Sequence, residues 1–160
     1  MWFHLAPTDL SFLDHSPRRI EHALEIAASA DRVFALAAGE RFHDWLTELV
    51  ACEWTSPAPH GVGSTRIVAL DTLAVKERFV AWEPGRRLAF VIEECTLPLV
   101  RRMMEHLAIE PLGEGRCRLV YTVHYEPSIL MTAVHPVARP IFARMFGRAA
   151  ERIKAIAEER

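Results

Sequence analysis

The chain has 160 residues, 51% of them hydrophobic and 25% charged, and this composition describes one domain large enough to bury most of its apolar surface. A formal charge of −2 argues against the basic footprint of a nucleic-acid-binding protein, so we expect no nucleic-acid partner. No apolar run approaches the ~18 residues that cross a bilayer, so we expect no membrane span.

The cysteines and histidines give no metal pattern. Cys52, Cys95 and Cys117 are odd in number and lack CxxC spacing, which is typical of free thiols in a reducing compartment, and we therefore expect a cytoplasmic protein. The eight histidines include no HxxxH or HExxH pair, and no nucleotide-binding or nucleophile motif is present. We expect neither a metal nor a cofactor.

Residues 1–17 form a first segment that is apolar in places but carries Asp9 and Asp14 and lacks the basic start of a signal peptide. Its apolar side chains would be an adhesive patch if they were free in solvent. We therefore predict an N-terminal arm, separate from a domain over 18–160, that lies over that domain or over a partner subunit in a homodimer. A disordered arm is the alternative.

Alternation of hydrophobic and polar residues over 18–27 has the period of a half-buried strand. Ser29 then offers an N-cap for a short helix that Gly39 ends, and a second short helix follows over 41–46. Six further strands are predicted, at 47–55, 63–70, 73–82, 87–95, 101–109 and 116–126. The links between these six strands are short, which favours antiparallel hairpins.

The segment 136–160 contains an amphipathic helix. At ~100° per residue its hydrophobic residues share one face: Ile141, Phe142, Met145, Phe146, Ala149, Ile153 and Ile156. Pro136 and Pro140 are expected in the turns that lead into the helix, which predicts helix over 139–157. The order of elements indicates an α+β protein in which a curved, seven-stranded antiparallel sheet wraps around a long C-terminal helix, with two short helices after strand one.

Four stretches carry a resemblance to a known family: ASADRVF at 28–34, HDW at 43–45, GVGSTR at 61–66 and ERFVAWEPGRRL at 77–88. Together they resemble the START-like, Bet v 1-like superfamily of polyketide cyclases/dehydrases and lipid-transport proteins, over roughly 18–159. The resemblance implies the helix-grip fold and no single activity, because members of that superfamily bind hydrophobic molecules, cyclise polyketides, carry lipids or assist other proteins.

A strongly bent sheet cannot fit flush against a straight helix, so a cavity is expected between them. Strand alternation and the helix face predict its ligand-binding residues: Trp45, Glu77, Phe79, Phe90, Ile92, Glu94, Glu105, Tyr121, Tyr125, Ile141 and Met145. An unpaired buried carboxylate costs several kcal/mol, so each inward glutamate needs a partner, and Arg66 or Arg152 could supply one.

Three functions follow as alternatives. The first is binding of a hydrophobic or polycyclic, lipid-like or polyketide-like molecule, for which each polar residue named above could equally have a structural role. The second is a cyclase, aromatase or dehydratase, whose catalytic candidates are Glu77, Glu105, Tyr121 and His43. The third is a protein-interaction module that uses the outer sheet surface or the arm.

Overall fold

The computed structural model describes residues 1–160. The elements in chain order are β1 (Phe3–His4), α1 (Phe12–His15), β2 (Arg18–Ile26), α2 (Ala30–Ala37), α3 (Phe42–Trp45), β3 (Leu49–Trp54), β4 (Thr65–Leu70), β5 (Ala74–Glu83), β6 (Arg87–Cys95), β7 (Val100–Gly113), β8 (Arg116–Pro127) and α4 (Ile129–Ala157).

Seven strands form one antiparallel, curved and unclosed sheet in the order β2-β8-β7-β6-β5-β4-β3, and the short β1 adds to β6. The first long strand, β2, pairs along its whole length with the last strand, β8. Helix α4 packs on the concave face, where Ala149, Ile153 and Ile156 are buried in the main core. The predicted α+β, helix-grip architecture is confirmed.

The two short helices close one end of the sheet. Ser29 is the N-cap of α2, since its side chain accepts a hydrogen bond from the Arg32 N–H at 3.2 Å. The β5–β6 turn approaches the same helix start: Gly85 has φ +71°, and a Cβ at that position would lie 2.6 Å from Asp31 Oδ1. Only glycine combines this conformation with this close contact.

Helix α4 begins ten residues earlier than the predicted 139, after Ser128, whose side chain accepts from the Met131 N–H at 3.1 Å. The expectation that Pro136 and Pro140 lie in turns before the helix is therefore wrong. Both prolines are exposed, on turns of the helix where water can satisfy the carbonyl groups that lose their N–H partners. The capping serine and the sheet contacts further along α4 hold the helix through both positions.

The N-terminal arm lies on the sheet of its own chain, one of the two positions expected for it. The Leu5 N–H donates to the Glu93 carbonyl and the Ala6 N–H to the Arg101 carbonyl, so the arm bridges β6 and β7 where these strands diverge. Further along, Phe12 is buried on the outer face of the sheet against Val91 and Met104. The arm thus covers convex surface that would otherwise expose these apolar side chains.

No helix has both the length and the apolar character that a membrane span requires.

Candidate functional site

A cavity of about 120 Å³ lies between α4 and the concave face of the sheet. Of the 26 residues that line it, 23 are hydrophobic, and they come from α2, α3, α4 and six of the strands or their adjoining turns. Because the lining is apolar, water competes little with a ligand for hydrogen bonds to the few polar side chains. Those polar groups decide what the cavity can recognise.

Arg66 on β4 and Glu77 on β5 form a buried ion pair in the cavity wall. Their positions are paired in register, and Arg66 Nε donates to Glu77 Oε2 at 2.6 Å, with the arginine side chain only 2% exposed. Four aromatic rings surround the guanidinium, with centroids 4.8 to 5.4 Å from its central carbon: Phe42, Trp54, Phe79 and Phe90. Burial raises the pKa of Glu77, and the charge of Arg66 opposes that rise.

The ion pair uses only the Nε–H group of the Arg66 guanidinium. Its Nη1 is buried and has no hydrogen-bond partner within the protein. That nitrogen lies beside Gly39, where a Cβ would approach it to 3.4 Å, so the turn after α2 closes over the arginine. A buried, charged N–H group without an acceptor is costly and calls for an explanation.

Glu105 on β7 and Tyr121 on β8 form a second buried polar pair that lines the same cavity. The Tyr121 hydroxyl donates to Glu105 Oε2 in a short hydrogen bond. Burial, together with the negative charge of Glu77, raises the pKa of Glu105 to about 8, while Tyr121 and Arg66 counteract this only in part. Glu105 is therefore mainly protonated at neutral pH. Burial and the Glu105 carboxyl raise the pKa of Tyr121 well above its usual value, so it stays a neutral phenol.

Most of the residues predicted to face a ligand line this cavity: Trp45, Glu77, Phe90, Ile92, Glu105, Tyr121, Tyr125 and Met145. Phe79 is fully buried but stands behind the lining, against Phe90 and Trp54. Arg152, the alternative partner for an inward carboxylate, instead donates to the Asp44 carbonyl on the surface.

Three predicted positions are wrong. Glu94 does not point inward. Lys76 is paired with Glu94 but the next residue, Glu77, is paired with Ile92, so β6 has one extra residue that reverses the alternation of its side chains. The Glu94 carboxylate instead accepts from Lys76 Nζ at 3.1 Å. Ile141 is 63% exposed, since it lies about 80° around the α4 axis from the buried Ala149. His43 is on the exposed side of α3 and does not line the cavity.

Sequence reasoning missed two features of the site. Phe42 both lines the cavity and covers the Arg66 guanidinium, and its only signal was its place next to the predicted Trp45 helix. The Tyr125 hydroxyl lies 2.6 Å from Nε2 of His135, which joins β8 to the early turns of α4. No signal pointed to His135 because its segment was not predicted as helix. No group of three or more His, Cys, Asp or Glu side chains is placed to hold a metal ion.

Comparisons with known proteins agree with this geometry. The sequence profile of the family described as "Polyketide cyclase / dehydrase and lipid transport" matches residues 17–158. An uncharacterized protein of Mycobacterium tuberculosis is 33% identical over 116 residues, which cover 71% of this chain and 69% of that protein.

Solved structures share the fold. A START superfamily protein from Mycobacterium smegmatis has a TM-score of 0.68 at 15% identity, covering 88% of this chain and 97% of its own. The Zhui aromatase/cyclase from Streptomyces sp. R1128 has a TM-score of 0.65 at 20% identity, covering 88% and 96%. Norcoclaurine synthase from Thalictrum flavum has a TM-score of 0.66 at 21% identity, covering 89% and 94%. At these identities the likeness concerns the fold alone.

Proposed function

The chain belongs to the polyketide cyclase/dehydrase and lipid-transport family, and from this premise we propose that its cavity binds a small apolar molecule that carries a hydrogen-bond-accepting oxygen. The observation that carries the proposal is that Arg66, whose buried Nη1 lacks an acceptor, lines a cavity that is otherwise almost entirely hydrophobic. A ligand oxygen at this position would supply the missing acceptor.

The protonation state of Glu105 supports the same ligand chemistry. Because the Tyr121 hydroxyl donates to Oε2, the proton of the neutral carboxyl is available on Oε1. The polar end of the cavity then offers two donors, one from Arg66 and one from Glu105. A ketone, quinone or carboxylate oxygen matches two donors, whereas an ammonium group, which can only donate, does not.

The size of the cavity limits the apolar part of the ligand. A volume of about 120 Å³ is close to that of the ~150 Å³ apolar cavities that bind benzene, and below the ~300 Å³ at which drug-sized ligand sites begin. One aromatic ring fits the cavity as it stands. A polycyclic or lipid-like ligand would require the early turns of α4 to move outward.

The test uses three probes of nearly equal shape: acetophenone, α-methylstyrene and 1-phenylethylamine. Titration followed by NMR of the folded protein should give the tightest binding for the ketone, several-fold weaker binding for the hydrocarbon and the weakest for the amine. Glu105→Leu should reduce the preference for the ketone over the hydrocarbon, because only the Arg66 donor then remains, whereas Glu105→Gln, which keeps an N–H donor, should retain the full preference. Equal affinities for all three probes, or binding to none, would contradict the proposal.

A second candidate function is acid–base catalysis of the cyclase or dehydratase kind, favoured by one observation: Glu105 has a pKa of about 8 and contacts Tyr121 in the cavity. A protonated carboxyl of this kind can donate to a carbonyl oxygen as enolisation begins. A partner base is less evident, because Glu77 is held by Arg66 and His43 is exposed outside the cavity.

Acetophenone separates the two functions in one experiment. In deuterated buffer, the methyl protons of acetophenone exchange for deuterium at a rate set by the buffer, and a protein that only binds acetophenone does not change that rate. An enzyme accelerates that exchange, and Glu105→Gln abolishes the acceleration. We expect the first result, because only one of the two groups that enolisation needs is free.

A further inference from the structure

The early turns of α4 expose a row of aliphatic side chains that nothing in the chain covers. Along this half of the helix Ile129 is 91% exposed and Val137 72%, and further members of the row are also exposed: Leu130, Val134 and Ile141. At ~100° per residue, the last four of these five in chain order fall within about 60° of one another around the helix axis. These four form one stripe, about 16 Å long from Leu130 to Ile141 at ~1.5 Å per residue, and Ile129 lies beside its first turn.

The stripe lies next to one end of the cavity. Met131, in the first turn of α4, is buried and lines the cavity, while its neighbours Ile129 and Leu130 point to solvent. The Ser128 hydroxyl donates to the Pro98 carbonyl, which fixes this turn against the β6–β7 loop. In that loop Leu97 is also exposed and Leu99 lines the cavity. Exposed apolar side chains on two elements therefore lie around this end of the cavity.

The segment of α4 that carries the stripe has charges of only one sign. Between Pro127 and Ala150 the chain has no aspartate or glutamate but three arginines. Arg144 continues the line of the stripe, is exposed and makes no ion pair. Arg139 donates to the Arg19 carbonyl and makes no ion pair, which leaves its positive charge unbalanced, whereas Arg148 is paired with Glu48.

We propose that this stripe docks on an anionic lipid surface, with α4 lying in the plane of the headgroups. Aliphatic side chains beside uncompensated arginines are the composition of helices that bind the membrane interface. A second copy of this chain would also bury the stripe, but its own stripe brings no carboxylate to Arg139 or Arg144. An anionic headgroup supplies that charge, and the docked orientation turns the end of the cavity lined by Met131 and Leu99 toward the lipid.

Vesicle sedimentation of the full chain tests the inference. The wild type should bind vesicles of phosphatidylcholine with phosphatidylglycerol and bind vesicles of phosphatidylcholine alone much more weakly. Val137→Asp and Ile141→Asp should each lower binding to the anionic vesicles at least about tenfold. Arg144→Gln should lower it about fivefold, with little effect on neutral vesicles.

Val62→Asp is the matched control, because Val62 is 69% exposed but lies in the loop that precedes β4, which is not part of the stripe. It should bind vesicles like the wild type, and the melting temperatures of all four variants should equal that of the wild type, since every altered side chain is exposed. Absence of wild-type binding, or equal binding by all variants, would overturn the inference. So would a dimer, seen by light scattering, that Ile141→Asp dissociates, because a second copy would then cover the stripe.

Discussion

Replacing Glu105 with glutamine should remove much of the pH dependence of folding stability between about pH 5 and 8. The carboxyl has a usual pKa near 4.5 in the unfolded chain and a pKa of about 8 in the folded protein. Between these values the folded protein holds a proton that the unfolded chain has lost. The wild type must therefore lose stability as the pH rises through this window.

The magnitude follows from the two pKa values. Each pH unit between them is worth ~1.4 kcal/mol, so the full window corresponds to on the order of 3 to 5 kcal/mol. Glutamine has nearly the same shape as the protonated carboxyl, can still accept from Tyr121 and does not ionise. Wild type and Glu105→Gln should therefore have similar stability at pH 5, and the variant should be the more stable by several kcal/mol at pH 8.5.

Urea unfolding at half-unit steps from pH 5 to pH 9 measures both curves. Glu151→Gln is the control, because the Glu151 side chain is exposed and makes no ion pair, and its curve should run parallel to the wild type. If the Glu105→Gln curve also runs parallel to the wild type, the carboxyl is ionised or hydrated in the folded protein, and the two-donor description of the cavity fails with it.

Three further changes test the fold around the site. Arg66→Met should lower the free energy of unfolding by ~3 to 5 kcal/mol, because Glu77 is left buried without its partner. In urea unfolding, the double variant with Glu77→Leu should regain most of this loss, and equal losses in the two variants would argue against the ion pair. Gly85→Ala should cost at least ~1 kcal/mol through its positive φ and its contact with Asp31, and a melting temperature unchanged from wild type would contradict that contact. Phe12→Ala should cost ~3 to 5 kcal/mol if the arm is part of the folded unit, whereas an arm that is loose in solution predicts almost no change.

Alternation of residue types predicted the strands well, because a half-buried strand has a strict period of two. All seven long strands appear within a few residues of their expected bounds, and Glu77, Phe90, Glu105 and Tyr121 share the inner face as predicted. Glu94 is an exception to this alternation. One extra residue in β6 reverses the alternation, and no composition signal marks such a bulge.

The helix was harder to predict at its beginning. Pro136 and Pro140 are unfavourable inside a helix, so local preference argued for a start after them, yet Ser128 caps a helix that continues through both. Tertiary contacts made elsewhere along α4 outweigh the low helix propensity of the two prolines. A separate error placed Ile141 on the buried face, because the rotation of the helix against the sheet was not available from its own sequence.

The pairing of β2 with β8 sets the order in which this chain can fold. Partner residues in these two strands are between 91 (Ile26 to Cys117) and 107 (Arg18 to Tyr125) positions apart. During synthesis, the backbone N–H and C=O groups of β2 therefore have no partner strand while the hairpins from β3 to β7 form. Closure of that long loop should limit the folding rate, and a ribosome-bound chain that stops before residue 117 should remain open to chaperones and proteases.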